Sequence, residues 1–129
     1  MQAEHLELGK KGEELTASHY EKSGYRVMAR NWRLKKLECD LIVSNAEFMV
    51  FVEVKTRTNV SFGEPEVFVT HEKQQNLLKI ANHYLQMHNI SKEARFDIAS
   101  VVVMGDGTEK IKLFEDAFNA VSVNMKGRR

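Results

Sequence analysis

Two kinds of apolar spacing alternate in the first half of the chain. Apolar and small residues recur at helical spacing from Glu4 to Ser23, which predicts a helix, and Gly24 stands where a C-cap glycine is expected. Tyr25 to Arg33 has the pattern of a strand. The runs from Glu38 to Ser44 and from Glu47 to Thr56 are rich in apolar residues and lie close together, which predicts an antiparallel hairpin.

The second half begins with a predicted loop from Thr58 to Pro65 and continues with one helix and two strands. Thr70 is a suitable N-cap for a helix from His71 to about His88, whose apolar residues share one face. Arg95 to Met104 and Lys110 to Phe114 have the composition of strands. The resulting order αβββαββ predicts an α/β domain with a mixed sheet.

Length and composition favour a single domain over residues 1–129. The chain has 129 residues, one proline and no Gly/Ser-rich stretch, so no linker is expected. We expect an ordered core from about residue 4 to residue 118, followed by a short basic tail. Cys39 is the single cysteine, which excludes a disulfide within the chain and a thiolate zinc cluster.

Hydropathy and charge limit where the protein acts and what it binds. The first residues lack the apolar stretch of a secretory signal, and no run approaches the roughly 18 apolar residues of a membrane helix, so we expect a cytoplasmic protein. The net charge of +1 argues weakly against nucleic-acid binding. The distribution of charge is uneven, however. Basic residues crowd one short segment, namely Arg26, Arg30, Arg33, Lys35 and Lys36.

The predicted hairpin sorts its side chains onto two faces, because successive residues of a strand point in opposite directions. If it closes around Asn45 and Ala46, Phe51 opposes Asp40. The first face is apolar throughout and comprises Cys39, Leu41, Val43, Phe48, Val50, Val52 and Val54. The second face comprises Glu38, which opposes Glu53, and Asp40, Ile42, Met49, Phe51, Glu53 and Lys55. Asp40, Glu53 and Lys55 therefore lie together as diagonal neighbours.

Two carboxylates and a lysine on one sheet face are typical of a phosphodiesterase site. Neighbouring carboxylates repel and raise one another's pKa, and a divalent cation such as Mg²⁺ removes that conflict. A lysine beside the cation can neutralise the charge of a pentavalent phosphorane. The same pattern also suits a solvated sheet face with a surface ion pair. Glu13 lies on the apolar stripe of the first helix, where a carboxylate needs a partner such as a metal site, Arg or Lys.

Several motifs in the chain occur in an order that resembles a known family. They are Gly12-Glu13, Tyr25, Ala29-Arg30-Asn31-Trp32-Arg33, Glu38-Cys39-Asp40-Leu41-Ile42, Phe51-Val52-Glu53-Val54-Lys55-Thr56-Arg57, Phe62-Gly63, Lys73-Gln74 and Arg95-Phe96-Asp97. From about Gly9 to Phe118 the sequence resembles the YraN-like family of uncharacterised bacterial proteins. That family is similar to archaeal Holliday-junction resolvases and to the PD-(D/E)xK restriction-endonuclease superfamily.

The resemblance implies a restriction-endonuclease-like mixed sheet flanked by helices, and a catalytic set. Asp40, Glu53 and Lys55 would form the acidic and lysine motif, with Asp40 and Glu53 holding Mg²⁺ or Mn²⁺. Glu13 would be the helix carboxylate, and Gln74 would lie near the site. The chain departs from the family pattern immediately before Asp40, where it has Cys39 in place of a proline, and at residue 37, where leucine replaces the usual glycine.

The function implied is hydrolysis of DNA phosphodiester bonds by a metal-dependent endonuclease, including action on branched or junction DNA. The alternative is a nucleic-acid-binding domain of the same fold with little or no cleavage. Six residues are candidates for contacts with nucleic acid: Arg30, Arg33, Lys36, Arg57, Lys73 and Gln74. Each basic residue taken singly is also compatible with a solvated face. A homodimer is expected by analogy with resolvases alone.

Overall fold

The computed structural model describes residues 2–58 and 69–127, with side chains from 7–58 and 69–123. Its elements are α1 (Gln2–Lys22), β1 (Arg26–Leu34), β2 (Leu37–Ser44), β3 (Phe48–Thr58), α2 (His71–Met87), β4 (Glu93–Val103), β5 (Glu109–Phe118) and α3 (Ala120–Gly127). The predicted order αβββαββ is confirmed, and α3 is an additional helix where no element was predicted. Residues 59–65 of the predicted loop, with Phe62-Gly63, and the end of the basic tail lie outside the described residues.

The five strands form one mixed sheet in the order β1-β2-β3-β4-β5. Neighbouring strands are antiparallel except β3 and β4, which run parallel. Parallel neighbours need a crossover connection rather than a tight turn, and α2 lies within the connection between them. The start of α2 is fixed by Thr70, whose side chain accepts a hydrogen bond from the Lys73 backbone N–H at 3.1 Å.

Apolar residues cover both faces of the sheet. The α1-side cluster contains the buried residues Ala17, Tyr20, Leu41, Val43, Val50, Val52 and Ala99. The α2-side cluster contains Cys39, Ile42, Met49, Phe51, Val69, Leu77, Ile80, Ala81, Tyr84, Phe96, Ile98, Phe118 and Val123. Burial on both sides explains why the central strands are almost continuously apolar. It also means that any charged side chain on these strands must find a partner or a cavity.

The hairpin between β2 and β3 closes one residue later than predicted, around Ala46 and Glu47, so each residue pairs two positions further along the partner strand. Ser44 pairs with Met49, and the Asn45 backbone N–H donates to the Phe48 carbonyl. The Asn45 side-chain oxygen accepts hydrogen bonds from the backbone N–H groups of Glu47 and Phe48, at 2.9 and 2.7 Å. Asn45 therefore caps the turn instead of forming its centre. The predicted pairing, in which Phe51 opposes Asp40 and Glu53 opposes Glu38, is wrong.

The error of two residues leaves the assignment of faces intact for most of the hairpin, because side chains alternate with a period of two. In the observed register Phe51 pairs with Ile42, and Val52 with Leu41. Asp40 and Glu53 follow directly beyond the last of these pairs.

The alternation fails at Cys39, which was predicted on the face of Leu41 and instead packs in the α2-side cluster. The recorded β2–β3 pairs end at Leu41 and Val52. Beyond them the Asp40 carboxylate accepts the Val54 backbone N–H at 2.8 Å. The Asp40 side chain thus takes the place of a β2 carbonyl as hydrogen-bond acceptor beyond the end of the β2–β3 backbone pairing. Cys39 is fully buried, as expected of a core residue, and burial raises the pKa of its thiol.

Gly12 allows α1 to lie close against β3. A Cβ atom at this position would clash with the Thr56 side chain, so only glycine permits the observed approach. Eight residues further along, the Tyr20 hydroxyl donates to Asp97 of β4 at 2.7 Å. Helix α1 is therefore fastened at two points, and the first of them sets the position of the neighbouring Glu13.

Candidate functional site

Glu53 is the centre of a charged cluster at the β2–β3 edge of the α2-side face. Its side chain is only 2% exposed. Its Oε2 atom lies 2.6 Å from Lys73 Nζ on α2 and 3.8 Å from Lys55 Nζ on the same strand. Its Oε1 atom is buried and has no hydrogen-bond partner among the described residues. Such an unpartnered buried carboxylate oxygen costs free energy unless another group binds it.

Asp40 is the second carboxylate of the cluster, and it is only partly exposed. Burial and then the negative charge of Glu53 raise its pKa to about 7, and the charge of Glu13 adds to the rise. The Val54 hydrogen bond and the charge of Lys73 act in the opposite direction. Asp40 therefore exchanges a proton near neutral pH, which makes its charge sensitive to any cation that arrives nearby.

Lys73 is held at the start of α2 by the cap at Thr70. Burial lowers its pKa, but the hydrogen bond and charge of Glu53, together with the charge of Asp40, outweigh that effect and raise it. Its side chain is 43% exposed, so it reaches from solvent into the buried carboxylate. The sequence analysis assigned Lys73 to nucleic-acid binding and did not anticipate this ion pair. No local pattern would have indicated it, because α2 and β3 meet only in the folded protein.

Glu13 lies on α1 at the margin of the cluster and is half-buried. Burial raises its pKa, a hydrogen bond from the Asn31 side chain lowers it, and the charges of Glu38 and Glu53 raise it again. Asn31 has a left-handed backbone conformation, with φ of 49°, in which asparagine is better tolerated than most residues. The partner that the sequence analysis required for Glu13 is therefore in part Asn31, to which no role had been assigned.

A cleft of about 300 Å³ opens beside the carboxylates. It is lined by Lys36, Leu37, Glu38, Asp40, Thr70, Glu72, Lys73 and Asn76. The first turn of α2 borders it, so the positive end of the helix dipole lies at its wall. The cleft thus combines anionic ligands with cationic and dipolar groups that favour a phosphate.

The donor set fits a hard divalent cation with few protein ligands. No group of three or more His, Cys, Asp or Glu side chains suited to a metal ion occurs among the described residues. Mg²⁺, however, is usually held by one or two carboxylates while water and substrate phosphate supply its remaining ligands. Asp40 and Glu53 provide two carboxylates, and the unpartnered Glu53 Oε1 is an oxygen that a cation would satisfy.

The residues predicted to bind nucleic acid are distributed around this site. Arg30 and Lys36 are exposed, and Arg33 is an exposed partner of Glu38, with 3.4 Å between the charged atoms. Arg57 is half-buried and follows Lys55 on β3. Gln74 is buried, its Nε2 donates to the Val69 carbonyl at 3.1 Å, and it is not among the residues that line the cleft.

The fold is a mixed sheet with helices, in line with an α/β nuclease-like fold, and it carries a buried cluster of carboxylates and lysines. The family model "Uncharacterised protein family UPF0102" matches residues 12–101, and the chain belongs to this family, which is the YraN-like family. A UPF0102 protein of Flavobacterium psychrophilum is 43% identical over 117 residues, covering 90% of this chain and 97% of the relative. One from Christiangramia forsetii is 40% identical over 116 residues, with 90% and 97% coverage.

More distant relatives match over almost the same length. A UPF0102 protein of Syntrophus aciditrophicus is 38% identical over 116 residues, covering 89% of this chain and 91% of the relative. The family assignment therefore applies to nearly the whole chain. Among the described residues, no helix has the length and apolar character needed to cross a membrane.

Proposed function

We propose that this protein is a metal-dependent endonuclease that hydrolyses DNA phosphodiester bonds, including those of branched DNA. The observation that carries the proposal is the state of Glu53, which is buried with one oxygen unpartnered, beside a second carboxylate and two lysines. The arrangement is costly for the fold by itself, and a bound cation would remove that cost. We place this activity in the cytoplasm and, by analogy with resolvases, in a homodimer.

Asp40 and Glu53 would hold Mg²⁺ or Mn²⁺. When bound, the cation supplies charge neutralisation and Lewis acidity at the scissile phosphate. Asp40 must be ionised to take part, and its pKa of about 7 makes cation binding stronger as the pH rises through neutrality. Glu53 would offer its unpartnered Oε1, and the positive charge of the cation would weaken the attraction between Oε2 and Lys73.

The two lysines would have different tasks. Lys55 extends from the same strand as Glu53 and is partly exposed, so it can neutralise charge on the pentavalent phosphorane or position the attacking water. Lys73, once released from Glu53, stands at the N-terminus of α2 beside the cleft and can bind a phosphate oxygen of the substrate. Glu13, held by Asn31, would complete the acidic wall on the side of α1.

DNA would approach over the basic segment of β1 and the turn that follows it. Arg30, Arg33 and Lys36 are exposed there and near the cleft. Because these contacts are to phosphates, affinity should be modest and should fall steeply with salt. Replacing Arg33 and Lys36 by alanine should weaken binding to unrelated DNA sequences alike. If this double variant binds DNA as tightly as wild type in a low-salt mobility-shift assay, the proposed DNA-binding surface is wrong.

A binding domain without cleavage is the second candidate, and the Lys73–Glu53 ion pair favours it. At 2.6 Å this pair already neutralises the buried carboxylate without a metal. Lys73→Ala separates the two candidates when Mn²⁺ binding is measured by calorimetry. If the site binds a cation, removal of the competing lysine should strengthen binding several-fold. If it does not, neither wild type nor variant will show a binding site, with DNA present or absent.

Cleavage itself is tested on linear, flap and four-way-junction DNA with Mg²⁺ or Mn²⁺, and with EDTA as the control. We expect metal-dependent cleavage that Asp40→Asn abolishes. Lys55→Ala should also abolish cleavage but should retain cation binding, since lysine is not a ligand. Metal-independent cleavage, or full activity in both variants, would refute the proposed site.

A further inference from the structure

A second cavity, which we call the basic groove, lies beside the candidate site. It has a volume of about 600 Å³, within the range of ligand sites in proteins. It is lined by Leu34, Lys35, Lys36, Leu37, Lys79 and His83. The first four residues belong to the turn between β1 and β2 and its flanks, and the last two to α2. Lys35 and Lys36 belong to the basic segment that the sequence places here, whereas no functional role was assigned from the sequence to Leu34, Leu37, Lys79 or His83.

The lining of the basic groove has the chemistry of a nucleotide site. Three of its residues are lysines and none is acidic. Among ion pairs between described residues, none includes Lys35, Lys36 or Lys79. Leu34 and Leu37 are half-buried and provide apolar walls. A cationic rim over apolar walls complements a phosphate and the base attached to it.

His83 gives the groove a planar surface. It is exposed on α2, and its ring centre lies 6.2 Å from that of Trp32, which itself meets Tyr84 edge to face at 5.2 Å. The imidazole is therefore in tilted contact with an aromatic pair that is anchored in the core, and its exposed ring could stack against a base.

The groove adjoins the candidate site. Lys36 and Leu37 line both cavities, so a strand that occupies the cleft at Asp40 and extends past Lys36 would reach the groove. A base within a duplex is paired and stacked and cannot enter a concave pocket of this kind without being extruded. An unpaired nucleotide enters without that cost.

We propose that the basic groove binds one or two unpaired deoxynucleotides adjacent to the scissile phosphate, and so selects DNA with a single-stranded segment. The proposal deepens the proposed function, because it takes the position of the scissile phosphate from the nuclease assignment. The phosphates would bind Lys36 and Lys79, and a base would stack on His83 between the leucines.

Fluorescence anisotropy without divalent metal tests the groove independently of cleavage. The probes are a short single-stranded DNA, the same strand with abasic sites, the blunt duplex, and RNA of the same sequence. Lys79→Glu should weaken single-strand binding about tenfold or more. Lys110→Glu, the same change on the distant strand β5, should have an effect of less than about twofold. His83→Ala should weaken binding about 5-fold or more to the strand with bases and leave the abasic strand unaffected.

The outcomes separate the groove from the nuclease assignment. Equal effects of Lys79→Glu and Lys110→Glu, or an equal effect of His83→Ala on normal and abasic strands, would overturn the groove even if cleavage is observed. Tighter binding of RNA than of DNA would overturn its assignment to deoxynucleotides. Groove-dependent binding of single strands would support it even if the protein proves unable to cleave, in which case the nuclease assignment alone fails.

Discussion

The sheet carries two buried acidic side chains on adjacent strands. The carboxylate of one has a full set of hydrogen-bond partners, and the carboxylate of the other does not. Asp97 on β4 is fully buried in the face toward α1 and is completely bonded. It accepts hydrogen bonds from Arg95 Nε and Nη2 at 3.0 and 2.9 Å, from the Tyr20 hydroxyl at 2.7 Å and from the Asp116 backbone N–H at 3.0 Å. Glu53 on β3 is almost as buried in the opposite face, yet one of its oxygens has no partner among the described residues.

The difference separates a carboxylate with a complete set of partners from one that keeps an unsatisfied oxygen. A charge inside a protein is tolerated when every lone pair is satisfied, as in the Asp97 network, where Arg95 also contacts Tyr25 at 3.0 Å. Around Glu53 the neighbouring carboxylates are not all paired with a cation. Burial and the negative charge of Glu53 therefore raise the pKa of Asp40 to about 7. We therefore interpret the Asp97 network as one that holds α1, β4 and β5 together by hydrogen bonds. We interpret the Asp40–Glu53 cluster as the proposed cation site.

The largest change in the free energy of unfolding is expected for a substitution in the Asp97 network. Asp97→Ala would leave the Arg95 guanidinium largely buried without its bidentate partner. Loss of one member of a buried ion pair costs about 3–5 kcal/mol of unfolding free energy. Urea denaturation of the variant measures this loss, with Glu115→Ala as the control, since Glu115 is an exposed partner of the same arginine. A loss of unfolding free energy below about 1 kcal/mol would show that the Asp97 network does not stabilise the fold as a buried ion pair should.

A divalent cation should stabilise only the Asp40–Glu53 cluster. Mg²⁺ or Mn²⁺ at about 100 times its dissociation constant should add about 2.7 kcal/mol to the free energy of unfolding. The rise should appear as a higher Tm in wild type and in Lys55→Ala, and should be absent in Asp40→Asn. Calcium-free buffer with EDTA provides the reference. If the cation stabilises Asp40→Asn as much as wild type, it binds elsewhere.

The close approach of α1 to β3 at Gly12 offers a further test of the comparison. Gly12→Ala should press α1 away from β3 beside Glu13, because the new methyl meets Thr56. We expect a loss of about 1–3 kcal/mol, which is typical of overpacking and exceeds the gain in helix propensity. The double variant Gly12→Ala, Thr56→Ala should recover much of it, as measured by a thermodynamic cycle from urea unfolding. Additive losses would show that the close approach at Thr56 has no energetic consequence.

The last test concerns pH. The folded-state pKa of Asp40, about 7, lies above its ordinary value of 3.8, so the folded state binds this proton more tightly than the unfolded state. The stability linked to Asp40 is therefore fully present below about pH 4 and is lost as the pH rises through 7. Asp40→Asn should be more stable than metal-free wild type at pH 8, with the difference vanishing toward pH 4. A difference that is independent of pH would contradict the burial and repulsion assigned to this carboxylate.

Local patterns were sufficient to predict every element except α3, and they brought the candidate carboxylates and Lys55 to one face. The spacing of apolar residues predicted α1, the hairpin and α2, and the two-residue period of a strand put Asp40, Glu53 and Lys55 on one face. That period also explains why a hairpin register wrong by two residues still gave the right face. The predicted position of the turn was wrong because the Asn45 side-chain oxygen accepts hydrogen bonds from the backbone N–H groups of Glu47 and Phe48. Asn45 is therefore a cap of the turn rather than a central residue.

Contacts between distant segments were decided by the tertiary structure alone. The ion pair of Lys73 with Glu53, the support of Glu13 by Asn31, and the basic groove all join segments that are far apart in the chain. Sequence by itself determined which residues carry charge and which face of a strand they occupy, because both are local properties. Which charges meet, and which buried oxygen is left without a partner, depends on how α1 and α2 cross the sheet, and that is settled only when both faces are packed.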